Sequence, residues 1–144
     1  MIRFFRIFWA VFWRSIFVLT INAGISYGIA RMARSLFVQT EFFIKTRASI
    51  GLLPAAIIFT ALAVGVGSGQ SIILERRSPM SLAQWQQTYF AMAACALIVM
   101  ISIFVVALTA SADFWFAFRV LFSLPMFLLF WIGVSIWQTN SRKT

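Results

Sequence analysis

The chain has 144 residues, of which 62% are hydrophobic and 10% are charged, whereas an ordinary soluble domain is roughly 45–50% apolar and about 25% charged. This composition excludes a typical soluble domain and predicts residence in a lipid bilayer. A helical span needs about 20 apolar residues, so the length allows four crossings in one small membrane domain, residues 1–144. The net charge of +9 is spread over the ends of apolar runs, which favours lipid headgroups over nucleic acid as its partners.

The residue inventory excludes most catalytic and metal chemistry. The sequence contains no histidine and one cysteine, and its acidic residues are Glu41, Glu75 and Asp113. A zinc site needs about three or four His, Cys or carboxylate ligands in one place, and a Ser-His-Asp triad needs a histidine base. We therefore expect a protein that is not an enzyme and that uses no cofactor or metal.

The first apolar run covers residues 7–30 and follows a basic start that contains Arg3 and Arg6. Its length is sufficient for a membrane span, and we expect it to be span one. Two alternatives stay open. The run could be a cleaved signal peptide, because Gly28 and Ala30 are small residues at cleavage-like spacing, or it could enter and leave the bilayer on one side.

Residues 31–47 connect the first two spans and divide into two faces on a helical wheel at about 100° per residue. One face is apolar and includes Phe37 and Phe43, whereas the other face carries Arg34 and Lys45. This pattern predicts an amphipathic helix that lies in the headgroup plane. The alternatives are a connector that packs on the bundle and a helix that recruits a partner.

The other predicted spans cover residues 50–74, 86–109 and 114–137. Ser81 and Gln84 have the spacing of a capping box ahead of the third span. A tight turn separates the third span from the fourth, so we expect these two to form an antiparallel hairpin. The predicted fold is an all-α integral membrane protein, a small bundle of four transmembrane helices with an interfacial amphipathic helix between spans one and two.

Small residues recur every four positions on spans one and two. Such stripes let helix backbones approach closely, either within the bundle or against another subunit. Asn22 lies beside the stripe of span one, where we expect it to make an interhelical hydrogen bond. The residues predicted for helix packing or partner binding are Asn22, Gly24, Gly28, Gly65 and Gly69.

Two arginines fall inside the predicted spans, where ionisable residues are costly and count as functional candidates. Arg14 lies near the start of span one, and Arg119 lies in the first turns of span four. Both are near enough to the end of a span for the guanidinium to reach the headgroups. No acidic residue is predicted inside a span, which argues against a proton-coupled or cation exporter.

The distribution of basic residues in the short flanks favours both termini in the cytoplasm. The expected partners are the lipid bilayer and other membrane proteins, with a homo-oligomer as an open possibility and no nucleic acid. In profile, the chain is similar to small, hydrophobic, basic inner-membrane subunits of secretion or plasmid-transfer machines. We expect a subunit or assembly factor of a larger complex in the bacterial inner membrane. A small anion-selective channel or carrier and a plasmid-type immunity or exclusion protein are the alternatives.

Overall fold

A computed structural model describes residues 1–36, 40–69 and 78–141. The elements in these residues are helical, and a 3-10 turn connects α2 directly to α3 without a loop. They are α1 (Ile2–Leu36), α2 (Glu41–Ser49), the 3-10 turn (Ile50–Leu52), α3 (Leu53–Gly67), α4 (Leu82–Thr109) and α5 (Ala112–Asn140).

Within the described residues, four continuous helical segments, which we call rods, are long and apolar enough to cross a membrane. They are α1, the combined segment Glu41–Gly67, α4 and α5. This confirms the all-α architecture with four long apolar helices. The helices α1, α4 and α5 extend beyond predicted spans one, three and four, because a helix can continue past the roughly 20 residues that a hydrocarbon core needs. The predicted second span is corrected: its helix begins earlier, at Glu41, and ends at Gly67, short of residue 74. The last part of the predicted second span, residues 70–74, lies outside the described residues.

The four rods form a bundle in which neighbours alternate in direction. In cyclic order α1 lies against α3, α3 against α4, α4 against α5, and α5 against α1. The rings of Phe12 in α1 and Trp131 in α5 are 5.0 Å apart between centroids. We call the end of the bundle with the start of α1 and the end of α5 the terminal end, and the opposite end, with the turn at Ala110 and Ser111, the hairpin end.

One face of α1 supplies much of the core. Its buried residues follow a spacing of three or four positions, which is one face of a helix. Trp9, Trp13 and Phe17 lie on the exposed side of α1, where an apolar ring suits lipid or a partner helix. The buried residues of α1 are Ile7, Val11, Ser15, Val18 and Asn22.

The single helix predicted over residues 31–47 is corrected to two pieces. The first residues of this segment are the last turns of α1, which ends at Leu36. Thr40 has an extended backbone with φ −75° and ψ 155°, and its hydroxyl accepts a hydrogen bond from Phe43 N, so a new helix begins there. Threonine is favoured at the N-cap because its side-chain oxygen accepts a hydrogen bond from a backbone N–H group that has no partner within the helix. Phe37 lies outside the described residues, and a location of α2 in the headgroup plane stays a prediction.

Lys45 also departs from the expected division of faces, because it is buried rather than on a polar surface. Its Nζ donates to the backbone oxygen of Ala110 at 2.8 Å and forms an ion pair with Glu41 at 3.0 Å. Ala110 is the C-cap of α4, where carbonyl groups lack helical partners and the helix dipole favours a cation. Lys45 therefore fastens α2 to the hairpin end.

Candidate functional site

A cleft of about 700 Å³ lies between α1 and α5. These helices touch at Phe12 and Trp131, toward the terminal end, and leave the cleft between them toward the hairpin end. Its floor includes Ser49, Gly51 and Ile103. The walls include Asn22, Ser26, Tyr27 and Ala30 from α1 and Phe116, Arg119, Ser123 and Phe127 from α5.

The segment formed by α2 and the 3-10 turn lies between the two walls of the cleft and is hydrogen-bonded to both. Ser26 Oγ of α1 donates to the Gly51 oxygen at 2.8 Å. On the other side, Trp115 Nε1 of α5 donates to Ser49 Oγ at 3.3 Å. Each wall is thus tied to the floor at this level of the bundle.

Among the described residues that line this cleft, two are arginines and none is acidic. Arg47 Nη1 donates to the Ala30 oxygen at 3.0 Å, which ties α2 to α1. The Arg119 guanidinium carbon lies 5.7 Å from the centroid of the Trp115 ring, four positions earlier on α5. Its side chain therefore points toward the hairpin end, the direction in which it would reach headgroups. The cleft is basic, with apolar and hydroxyl surfaces around the charges.

Asn22 lies at the cleft and makes an interhelical hydrogen bond. Its Oδ1 accepts from Ala55 N at 3.0 Å, and Ala55 belongs to the first turn of α3. Backbone N–H groups in a first turn have no partner within their own helix. Asn22 satisfies one of them inside the bundle, so its amide has a structural role in joining α1 to α3.

The stripe of small residues on α1, Thr20, Gly24 and Gly28, lies on its exposed side. A Cβ atom added at Gly24 or Gly28 would meet nothing within 4 Å, and the same holds at Gly65. The described part of the bundle therefore does not pack closely on these glycines, and contact with another subunit stays a prediction.

Two other glycines have roles inside the bundle or at its edge. Gly69 has a positive φ of 83° just after α3, a conformation in which glycine commonly ends a helix. Gly67, which the stripe pattern passes over, is the glycine where a Cβ would collide with the side-chain amide of Gln86. A close approach of this kind depends on the neighbouring helix, so periodicity within one span does not reveal it.

The structure does not bring Arg14 and Arg119 together. The Arg14 guanidinium carbon lies 4.0 Å from the centroid of the Trp85 ring, and its Nη1 donates to the Ala10 oxygen at 3.0 Å. Trp85 is in the first turn of α4 at the terminal end, whereas Trp115, which contacts Arg119, is in the first turn of α5 at the hairpin end. The two arginines thus belong to separate environments.

A buried polar cluster at the terminal end was missed by sequence reasoning. Gln138 Nε2 donates to Thr88 Oγ1 at 3.3 Å and to the Gln84 oxygen at 3.4 Å. In return, Gln84 Nε2 donates to Ser141 Oγ at 3.1 Å, and Gln84 also completes the capping box of α4. The sequence did carry a signal for it. Gln84 lies near the start of the third predicted span and Gln138 near the end of the fourth, and an antiparallel hairpin brings these two ends together. The cluster fixes the register between α4 and α5.

We expect this cluster to couple α4 and α5 energetically. In a double-mutant cycle, Thr88→Val and Gln138→Leu should show a coupling free energy between about 0.6 and 1.7 kcal/mol, the average and the maximum found for hydrogen bonds between membrane helices. Unfolding of the purified protein in mixed micelles measures it. Thr109→Val is the control for Thr88→Val, because the Thr109 hydroxyl bonds only within α4, to the Val105 oxygen. Equal coupling for both threonines would contradict the assignment.

No protein-family model, curated protein or solved structure matches the chain. The contacts described above define three candidate sites: the basic cleft, the outward stripe on α1 and the polar cluster at the terminal end.

Proposed function

We propose that the protein is a non-enzymatic subunit or assembly factor of a larger complex in the bacterial inner membrane, of the type found in secretion or conjugative-transfer machines. The observation that carries the proposal is the outward position of the stripe Thr20, Gly24 and Gly28 on α1. The partner is another membrane protein, with a second copy of this chain as the alternative occupant.

The position of the stripe supports a partner because glycine is an unfavourable choice on a helix surface that meets only lipid. In a helix interior, glycine costs roughly 1 kcal/mol relative to alanine. Gly24 and Gly28 face away from the core residues Val18 and Asn22, so no neighbour within the described bundle compensates that cost. A partner helix that crosses α1 at this stripe would gain close backbone contact.

The outer face of α5 offers a second apolar surface beside the cleft. Its exposed residues are large and include several aromatic rings, which suit either lipid or a subunit contact. Those that do not line the cleft include Phe114, Leu121 and Leu128.

The decisive experiment fills the stripe on α1. We expect Gly24→Leu combined with Gly28→Leu to remove the protein from a hetero-complex that mild-detergent purification from its native host recovers. The protein should still insert and keep its thermal midpoint, because open space surrounds both Cβ positions. Native gel electrophoresis and size-exclusion chromatography measure the assembly.

Gly133→Leu is the matched control. Gly133 is an exposed glycine in the second half of α5 whose Cβ would also meet nothing within 4 Å, so the same change is made on another helix. The complex should survive this substitution. Recovery of the wild-type protein as an isolated monomer, or an intact complex in the double variant, would contradict the proposal.

A second candidate is a small anion-selective channel or carrier. It is favoured by the placement of Arg47 and Arg119 in one cleft whose described lining contains no acidic residue. It ranks below the subunit proposal because Arg14, the other intramembrane arginine, contacts Trp85 at the opposite end of the bundle. An immunity or exclusion protein would use the same outward stripe as a subunit does, and its genetic neighbourhood would identify it.

A further inference from the structure

We propose that the cleft between α1 and α5 binds one anionic phospholipid. The phosphate contacts Arg47 and Arg119, and an acyl chain follows the apolar part of the cleft past Leu124 and Phe127. This site is distinct from the proposed partner surface, because Asn22 and Ser26 face the cleft whereas Gly24 and Gly28 meet open space.

The charge of the cleft calls for an anion. Within residues 1–36, 40–69 and 78–141, the Arg119 guanidinium makes no hydrogen bond or ion pair and lies beside the Trp115 ring, while the Arg119 backbone oxygen accepts from Ser123 Oγ. A guanidinium presents five N–H donors, and leaving them without an acceptor beside apolar surface is unfavourable. Glu41 pairs with Lys45 and Asp113 does not line the cleft, so neither described acid neutralises Arg119.

The depth of the arginines matches a lipid headgroup. Arg119 lies eight positions after Ser111, the N-cap of α5, which places its Cα about 12 Å from the hairpin end at 1.5 Å per residue. Its side chain contacts Trp115 and so extends back toward that end. Arg47 lies in the last turn of α2 and is held against the Ala30 oxygen. In the proposed site, both guanidinium groups lie at the level of the phosphates of one leaflet.

The remainder of the cleft suits an acyl chain. From Arg119 toward the terminal end, α5 lines it with Val120, Leu124 and Phe127, and Ile103 of α4 closes the floor. The volume of about 700 Å³ falls within the range of roughly 300–1,000 Å³ for small-molecule sites. Basic pockets between membrane helices recognise acidic headgroups in this way. An uncharged or zwitterionic lipid would leave the net positive charge of the two arginines uncompensated.

The test is a titration of the purified full-length protein in mild detergent with phosphatidylglycerol or phosphatidylcholine of matched chains, followed by native mass spectrometry. We expect one phosphatidylglycerol to bind at least about fivefold more tightly than phosphatidylcholine, as a basic contact to an anionic lipid predicts. Arg119→Gln should lower this preference several-fold, with Arg47 supplying what remains. Ser123→Phe, which fills the cleft without changing charge, should weaken binding of both lipids.

Arg34→Gln is the matched charge control, because Arg34 is an exposed arginine in the last turn of α1 that does not line the cleft. It should leave the affinity unchanged. An equal loss in Arg34→Gln and Arg119→Gln, or wild-type binding in Ser123→Phe, would overturn the site in favour of general surface charge. Chloride or phosphate flux through liposomes that stops on Arg119→Gln would overturn it in favour of free-anion passage.

The two proposals fail separately. The variant with both Gly24→Leu and Gly28→Leu should bind phosphatidylglycerol as the wild type does. Loss of binding in that variant would show that the lipid site depends on the partner surface, and it would overturn the independent site.

Discussion

Replacement of Trp131 by alanine is expected to lower the free energy of unfolding by about 3–5 kcal/mol, the cost of deleting a large buried aromatic side chain. Trp131 is 7% exposed and packs against Phe12 of α1 with centroids 5.0 Å apart and against Phe127 of α5 at 6.2 Å. It is the main aromatic link between α1 and α5 at the terminal side of the cleft. Its loss leaves a cavity where the two helices otherwise touch.

Trp137→Ala is the matched control, since Trp137 is on the same helix but 46% exposed. It should change stability by less than about 1 kcal/mol, as is usual for substitutions away from a core. Denaturant titration in mixed micelles compares the two variants. A similar small loss at both positions would show that α1 is not docked on α5 through Trp131.

The second large effect concerns the orientation of the bundle, which we propose has both termini in the cytoplasm. In a Cys95→Ser background, Ala112→Cys should react with a membrane-impermeant maleimide on intact cells, whereas Ala83→Cys should react only after lysis. Cys95 is the only free cysteine in the described structure. The two alanines are a matched pair, because both are exposed and lie in the first turns of α5 and α4, at opposite ends of the bundle.

Two features support this orientation. By sequence, Arg3, Arg6 and the basic residues of the second connector and of the tail share one side, and that side is expected to be cytoplasmic. At the hairpin end, the charge of Lys45 is offset by its ion pair with Glu41. Labelling of Ala83→Cys but not Ala112→Cys on intact cells would reverse the orientation. Equal labelling of both would contradict a membrane crossing by α4.

The long helices were predictable because their signal is local. A sufficiently long run of apolar residues predicts a long helix, whichever other helices pack against it in the fold. The short turn at Ala110 fixes an antiparallel hairpin, and the Ser81 capping box is present as its spacing predicts. Asn22 could be expected to bond across helices because a buried amide needs a partner, although its acceptor role toward Ala55 N required the neighbouring helix.

The break in the connector shows where local signals compete. A helical wheel treats residues 31–47 as one helix, and Glu41 with Lys45 supports that helix through an ion pair four positions apart. Thr40 ends the pattern because its hydroxyl caps α2. Lys45 is buried because its Nζ donates to the backbone oxygen of Ala110, in a turn distant in sequence. The periodicity of the connector alone cannot predict such a contact.

The sequence by itself determined the number of long apolar helices and the antiparallel hairpin of the last two. Only the tertiary structure decided which face of α1 enters the core, which glycine another helix approaches, and that α1 and α5 separate to form a cleft. The physical reason is that lipid is as apolar as a bundle core, so hydrophobic periodicity barely distinguishes inward from outward positions. The direction of Gly24, the approach of Gln86 to Gly67 and the neighbours of Arg119 depend on contacts between helices remote in sequence.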